Sequence, residues 1–174
     1  MSEVKSTVVF RQDLPDQSIK RGSIGTIEAY DACLAKVRMQ HSRAQVSVFS
    51  STYFCPNGDP SLCPITSALR KYSTAVDFTG KDGHLPEVHT VVCTWRNALD
   101  LCERELRKTY QAMQDREQHE TDQVMVVRYQ QAARELEQAL KLLGCYRKHR
   151  TWSANGECDF LLHVGRALLA ICGL

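Results

Sequence analysis

Between Gln138 and Gly156 the chain has neither aspartate nor glutamate. That gap holds Lys141, Arg147, Lys148 and Arg150, a local charge of +4 in a 174-residue chain whose net charge is +2. The remainder therefore carries −2. Near-neutrality excludes a general polycation, so any polyanion must be met by a local patch. Long apolar runs are missing too. The closest, "FLLHVGRALLAICGL", falls short of the roughly 20 apolar residues a bilayer needs, and His163 and Arg166 interrupt it. No membrane span is expected. "MSEVKSTVVF" lacks the apolar core of a signal peptide, and Cys172 does not fit a prenylation box. The eight cysteines are thus expected as free thiols in a cytoplasmic chain.

Catalytic signatures are absent as well. There is no phosphate-cradling glycine loop, no nucleophile elbow and no zinc-protease helix. Cys145 and His149 are close in sequence, as are Cys158 and His163. Cysteine–histidine catalysis needs a shared geometry that near neighbours rarely supply, so an enzyme is not expected, nor any cofactor. Cys55, Cys63, His84 and His89 follow a Cys–Cys–His–His order, with Cys93 after them. Zinc sites pair their ligands within two to four residues, and Cys55 and Cys63 are further apart. No metal is expected.

What is present is mostly helical spacing. The composition, 43% hydrophobic and 24% charged, is that of a globular domain. Residues 1–22 show no clear period and are expected as a flexible arm. Ile24, Ile27, Tyr30, Leu34 and Val37 step by three and four, which predicts a helix with Ser23 as its N-cap. "AQVSVFSSTYF" reads equally as strand or helix. "CPNGDPSLCP" is a loop. A helix follows through Ile65, Leu69, Tyr72 and Val76. Pro86 opens the clearest one, through Trp95, Leu99, Leu106, Tyr110 and Met113. If it reaches Gln118 it is about 50 Å long. After "HET" a second long helix runs through Val124 and Leu136 to Leu143, and Gly144 is expected to stop it. Two long helices with a short connection form an antiparallel hairpin. Asn155 caps a last helix, Phe160–Ile171, apolar on almost all sides; such a helix is central or docks on a subunit. The expected fold is all-α: about five helices built round a long antiparallel hairpin, one helical domain over residues 23–174.

The candidate site is "YRKHRTW", residues 146–152. Arg147, Lys148 and Arg150 offer cations for phosphates, and Trp152, outside any helix, offers a face for stacking. Arg104, Arg107 and Lys108 could add to them, as could Arg128 and Arg134 on the hairpin. Glu103 precedes Arg107 by four and Glu137 precedes Lys141 by four, the self-pairing of a solvated helix face. Trp95 and Tyr110 belong to a core face. The reading also requires that Arg147 and Arg150 are not neutralised by carboxylates from elsewhere in the fold.

Several segments resemble the small RNA-silencing suppressors of closteroviruses: the early "IEAYDACLAKV", the loop "CPNG" before a proline-opened helix, and the closing "CDFLLHVGRALLAICGL". The likeness spreads over most of the chain. It implies an all-α protein that assembles into a ring and binds small duplex RNA without reading sequence. No motif matches position by position, so no functional residue carries over. The expectation is a non-enzymatic, sequence-independent binder of duplex RNA that self-associates. The alternative is a module that takes a protein partner in an apolar groove or on its C-terminal helix.

Overall fold

The computed structural model describes residues 6–56, 62–78, 88–149 and 152–174, with the backbone alone at 63, 73–78 and 88–96. Five strands come first: β1 (Thr7–Phe10), β2 (Ile24–Asp31), β3 (Leu34–Met39), β4 (Gln45–Phe49) and β5 (Tyr53–Phe54). Four helices follow: α1 (Cys63–Phe78), α2 (Val88–His119), α3 (Gln123–His149) and α4 (Gly156–Cys172). The chain is therefore mixed α and β, not all-α. A five-stranded antiparallel sheet in the order β4-β3-β2-β1-β5 replaces the first expected helix.

The helical reading of residues 24–37 fails for a local reason. In β3, Ala35, Val37 and Met39 are buried while Lys36 and Arg38 alternate with them, a clean period of two. In β2 the register shifts between Ile27 and Ala29. That bulge breaks the alternation, and the apolar spacing left behind imitates a helix. Ala32 takes a left-handed φ of 54° in the turn joining the two strands. On the outer face Arg38 meets Glu28 at 2.5 Å, and Gln45 donates to Glu28 at 2.9 Å. One carboxylate so ties three strands.

The expected arm is corrected too. Val8, Val9 and Phe10 are fully buried in β1. They point to opposite faces. Val8 and Phe10 join Ile27, Val37, Val48 and Tyr53 in a core belonging to the sheet. Val9 and Ile24 join the helical core instead. Residues 45–49, readable either way, are a strand.

The hairpin of α2 and α3 is present, with its break at residues 120–122. Gly144 does not end α3, which runs on to His149. Leu143 and Tyr146 are buried on either side of it, and that packing outweighs the helix cost of one glycine, about 1 kcal/mol. Asn155 stands at the N-cap of α4 but makes no side-chain capping bond.

α4 is the centre of the molecule. Phe160, Val164, Ala167, Leu168 and Leu169 are fully buried, against α3 on one side and β1 and β2 on the other. Its apolar surface is covered within the chain and needs no second subunit. α4 comes close to the turn before β2 between two glycines: a Cβ on Gly165 would collide with the carbonyl oxygen of Gly22. Gly22 itself has a φ of 95°, open to glycine at little cost. Arg166 Nε donates to the Arg21 carbonyl at 3.3 Å, and Arg21 Nη2 to the Leu174 carbonyl at 2.7 Å. Arg128 Nη2, from α3, donates to the Ile171 carbonyl at 2.8 Å. Arg128 thus satisfies a carbonyl in the last turn of α4 that the helix leaves without an internal partner, while Arg166 and Arg21 tie the helix and the residues after it to the segment before β2.

Candidate functional site

Residues 146–149 of the basic stretch form the last turn of α3. Tyr146 is buried. Trp152 stacks on it with ring centroids 4.3 Å apart, and on Phe160 at 5.6 Å. Trp152 is therefore half-buried and packed against two rings of the core, which makes it a poor platform for a base. Beneath it sits Tyr72, whose hydroxyl is raised well above the tyrosine range, by burial first and then by Glu157.

Arg147 is spent on α2. Its Nη2 lies 2.5 Å from Asp100 Oδ1, and its Nη1 pairs with Glu103. This fork fastens the C-terminal end of α3 to α2. The condition that Arg147 stay unneutralised is not met. Arg150 falls outside the described residues. Lys148 is exposed, and among the described residues no carboxylate pairs with it.

The α2 candidates reach solvent. Arg107 bonds Glu103 at 2.9 Å, Arg104 lies 3.5 Å from Glu105, and Lys108 lies 3.6 Å from the same Glu105. Their side chains are 63–67% exposed. Ion pairs so exposed hold their cations by only about 0–1 kcal/mol. A phosphate can compete for these three side chains.

The helix periodicity of α3 adds a feature that lies partly outside the basic stretch. Val124, Val127, Gln131, Arg134, Gln138, Lys141, Cys145 and Lys148 are all exposed. Their alternating steps of three and four place them in one stripe. Its opposite side, with Ala132, Leu136, Ala139 and Leu143, is buried. Arg134, Lys141 and Lys148 recur every seven residues, about 10.5 Å apart along the axis. No acidic residue stands on the stripe. Lys141 lies 3.5 Å from Glu137 beside it; among the described residues Arg134 meets no carboxylate. The 138–156 gap showed half of this stripe, but only the burial pattern shows that Arg134 continues it.

His163 bonds Glu135 at 2.6 Å and so ties α4 to α3. The Cys158 thiol is pushed up chiefly by burial, then by Asp159, with Lys20 opposing. A thiol raised in this way stays protonated near neutrality and is a poor nucleophile. Cys145 and His149 are both exposed on the last two turns of α3. Of the zinc candidates, Cys55 is exposed, and the side chains of Cys63, His84, His89 and Cys93 lie outside the described residues. Among the described residues no three histidine, cysteine or acidic side chains could hold a metal ion. No described helix is long and apolar enough to cross a membrane.

One groove of note lies where the sheet meets α4. Its volume is about 360 Å³, and its floor is Ile19, Ile24, Met39, Val46, Leu161 and Leu162. Gln17, Ser18, Ser42, His41 and Cys158 form a more polar rim. His41 Nδ1 lies 3.7 Å from Glu157 Oε1 across one end. A space of that size with an apolar floor and few polar groups suits a small ligand or a few side chains. Sequence reading missed this groove because it missed the hairpin of β3 and β4 that forms one wall. The alternation Ala35, Val37, Met39 was the available signal. No family model, no curated protein and no solved structure matches this chain.

Proposed function

We propose that this chain is a non-enzymatic, cytoplasmic protein that binds duplex RNA without reading its sequence. The observation that carries the proposal is the outward stripe of α3, with Arg134, Lys141 and Lys148 at seven-residue intervals and one exposed carboxylate, Glu137, at its side. Arg104, Arg107 and Lys108 supply cations from the neighbouring helix. Arg147 positions the hairpin and is not itself a phosphate ligand. Trp152 is structural. Contacts of this kind go to phosphates and fix no sequence, which suits duplex RNA recognised by its shape. Three to six cations give modest affinity on one chain. Self-association joins the stripes of several chains and raises it through avidity. Of the segments that resemble the viral suppressors, "IEAYDACLAKV" folds as two strands and the closing one as α4.

The test is fluorescence anisotropy with a short labelled duplex RNA across a salt series, run beside light scattering. Binding should weaken steeply with salt. The triple substitution Arg134→Ala, Lys141→Ala, Lys148→Ala should flatten the logarithmic salt slope by about 2–3. Absence of binding at 50 mM salt, or an unchanged slope in the triple variant, refutes the reading.

A protein partner is the second reading. It loses the C-terminal helix, which is covered within the chain, and keeps the groove between the sheet and α4, whose volume and apolar floor favour it.

A further inference from the structure

We propose that the outer edge of β4 accepts an extended peptide as an added strand, in place of a rung now filled by the side chain of Gln17. This refines the protein-partner reading and is independent of the RNA stripe. Among the described residues β4 pairs with β3 alone and ends the sheet. Met39 N donates to Ala44 O at 2.8 Å. By the alternation of an antiparallel ladder, Val46 and Val48 also bond to β3, so Gln45, Ser47 and Phe49 turn their backbone groups outward. Ser47 confirms that phase: its carbonyl accepts a bond from Gln17 Nε2 at 3.1 Å. The amide of Gln17 thus stands where the N–H of a neighbouring strand would stand.

A loop holds that amide in place. Pro15–Gln17 form a single 3-10 turn, closed by Ser18 with a left-handed φ of 56°. A non-glycine residue held there is strained and has to be held by its surroundings. Covering a free edge with a loop guards against chance pairing. Among the described residues the cover bonded to the edge is one exposed side-chain amide, with an open cavity on each side of it. Gln17 and Ser18 border the 360 Å³ groove on one side. On the other side Gln17 and Ser47 border a second cavity of about 220 Å³, with Leu14, Pro15, Val48 and Phe49. An added strand would send alternate side chains into the two apolar spaces while its backbone met Gln45, Ser47 and Phe49.

Charge narrows the occupant. Asp16 lines the smaller cavity and is exposed, and among the described residues no cation pairs with it. The fitting partner is an extended segment with apolar residues at alternate positions and a lysine or arginine beside them.

The probe is a fluorescein-labelled peptide with valine at every second position, threonine between, and one terminal lysine. Two further peptides carry N-methyl groups on alternate amides, one set on each edge of the strand. Anisotropy should show binding to the full chain, and Gln17→Ala should bind about fivefold tighter, the worth of one displaced hydrogen bond. Asp16→Asn should weaken the lysine peptide and leave its alanine counterpart unchanged. One methylated set should lose binding and the other keep it. Equal binding of both methylated sets would place the peptide in the groove without the edge, which overturns strand addition while the groove reading stands. Absence of binding to Gln17→Ala overturns it outright.

Discussion

Two glycines in helices should respond in opposite directions to the same substitution. Gly165 lies in α4, where its Cα hydrogens face the Gly22 carbonyl, and an added methyl has no room. Both partners are backbone, so no side chain can swing away. Alanine gains about 1 kcal/mol of helix propensity over glycine. Overpacking costs up to about 3 kcal/mol, and more where backbone must move. Taking the upper figure, because backbone meets backbone, the net for Gly165→Ala is a loss of about 2 kcal/mol. For a chain of this length that lowers Tm by about 4–8 °C. Gly144 is the control. It lies in α3, is exposed, and a Cβ there would meet nothing within 4 Å. Gly144→Ala keeps the propensity gain without the clash and should raise Tm by about 2–4 °C. Scanning calorimetry on both variants measures the pair. A Gly165→Ala protein as stable as the parent would show that α4 does not seat on the sheet through this contact.

Phe160→Ala empties a fully buried site and removes one side of the Trp152 sandwich; urea unfolding should show a loss of about 3–5 kcal/mol. Arg147→Ala breaks exposed pairs with Asp100 and Glu103. It should cost no more than about 1 kcal/mol and leave RNA affinity within about twofold, whereas Lys148→Ala should weaken it measurably. Burial pushes the Cys102 thiol up to about 12. Its folded value exceeds the unfolded one, so its contribution to stability is full below about pH 8.5 and is lost as pH rises towards 12. Denaturation at stepped alkaline pH should show that decline, and Cys102→Ala should flatten it. In the folded protein a thiol reagent at pH 8 should label the exposed Cys33 and Cys145 well before Cys102.

The helical half of this fold was legible because its signals are long. α2 and α3 repeat the helical period over 32 and 27 residues, and no local accident cancels so many positions. The sheet half was not, because its signals are short. β1 has four residues, all buried, so it shows no alternation at all. β2 carries a bulge that converts its pattern into steps of three and four. Of the site residues, Lys148 lay in plain view within the acid-free gap. The fate of Arg147 did not, because Asp100 stands 47 residues away and only the pairing of α2 with α3 makes them neighbours. Gln17 carried no signal of any kind, since its role depends on the phase of a strand 30 residues further on.

The hairpin also explains how a nearly neutral chain can present a one-sided surface. Its tip, from residue 115 to residue 122, holds Asp115, Glu117, Glu120 and Asp122 against a single arginine, Arg116. Away from the tip the hairpin carries Arg104, Arg107 and Lys108 midway along α2 and Lys141, Arg147 and Lys148 in the last turns of α3, opposed by Asp100, Glu103, Glu105 and Glu137. The balance there is positive and at the tip negative, although the sum over the hairpin is small. Lys148 lies 25 residues beyond the start of α3 at the tip, about 38 Å along the axis, which is several Debye lengths at physiological salt, about 8 Å each. A polyanion at the basic end therefore does not feel the acidic tip. Moving charge between the ends should change RNA affinity while net charge stays fixed. Lys148→Gln together with Glu120→Gln leaves the net at +2 and should still weaken binding. Glu120→Gln alone, remote from the stripe's basic half, should not strengthen it beyond twofold. If affinity followed net charge alone, the double variant would bind like the parent, and the polarity of the hairpin would have no part in recognition.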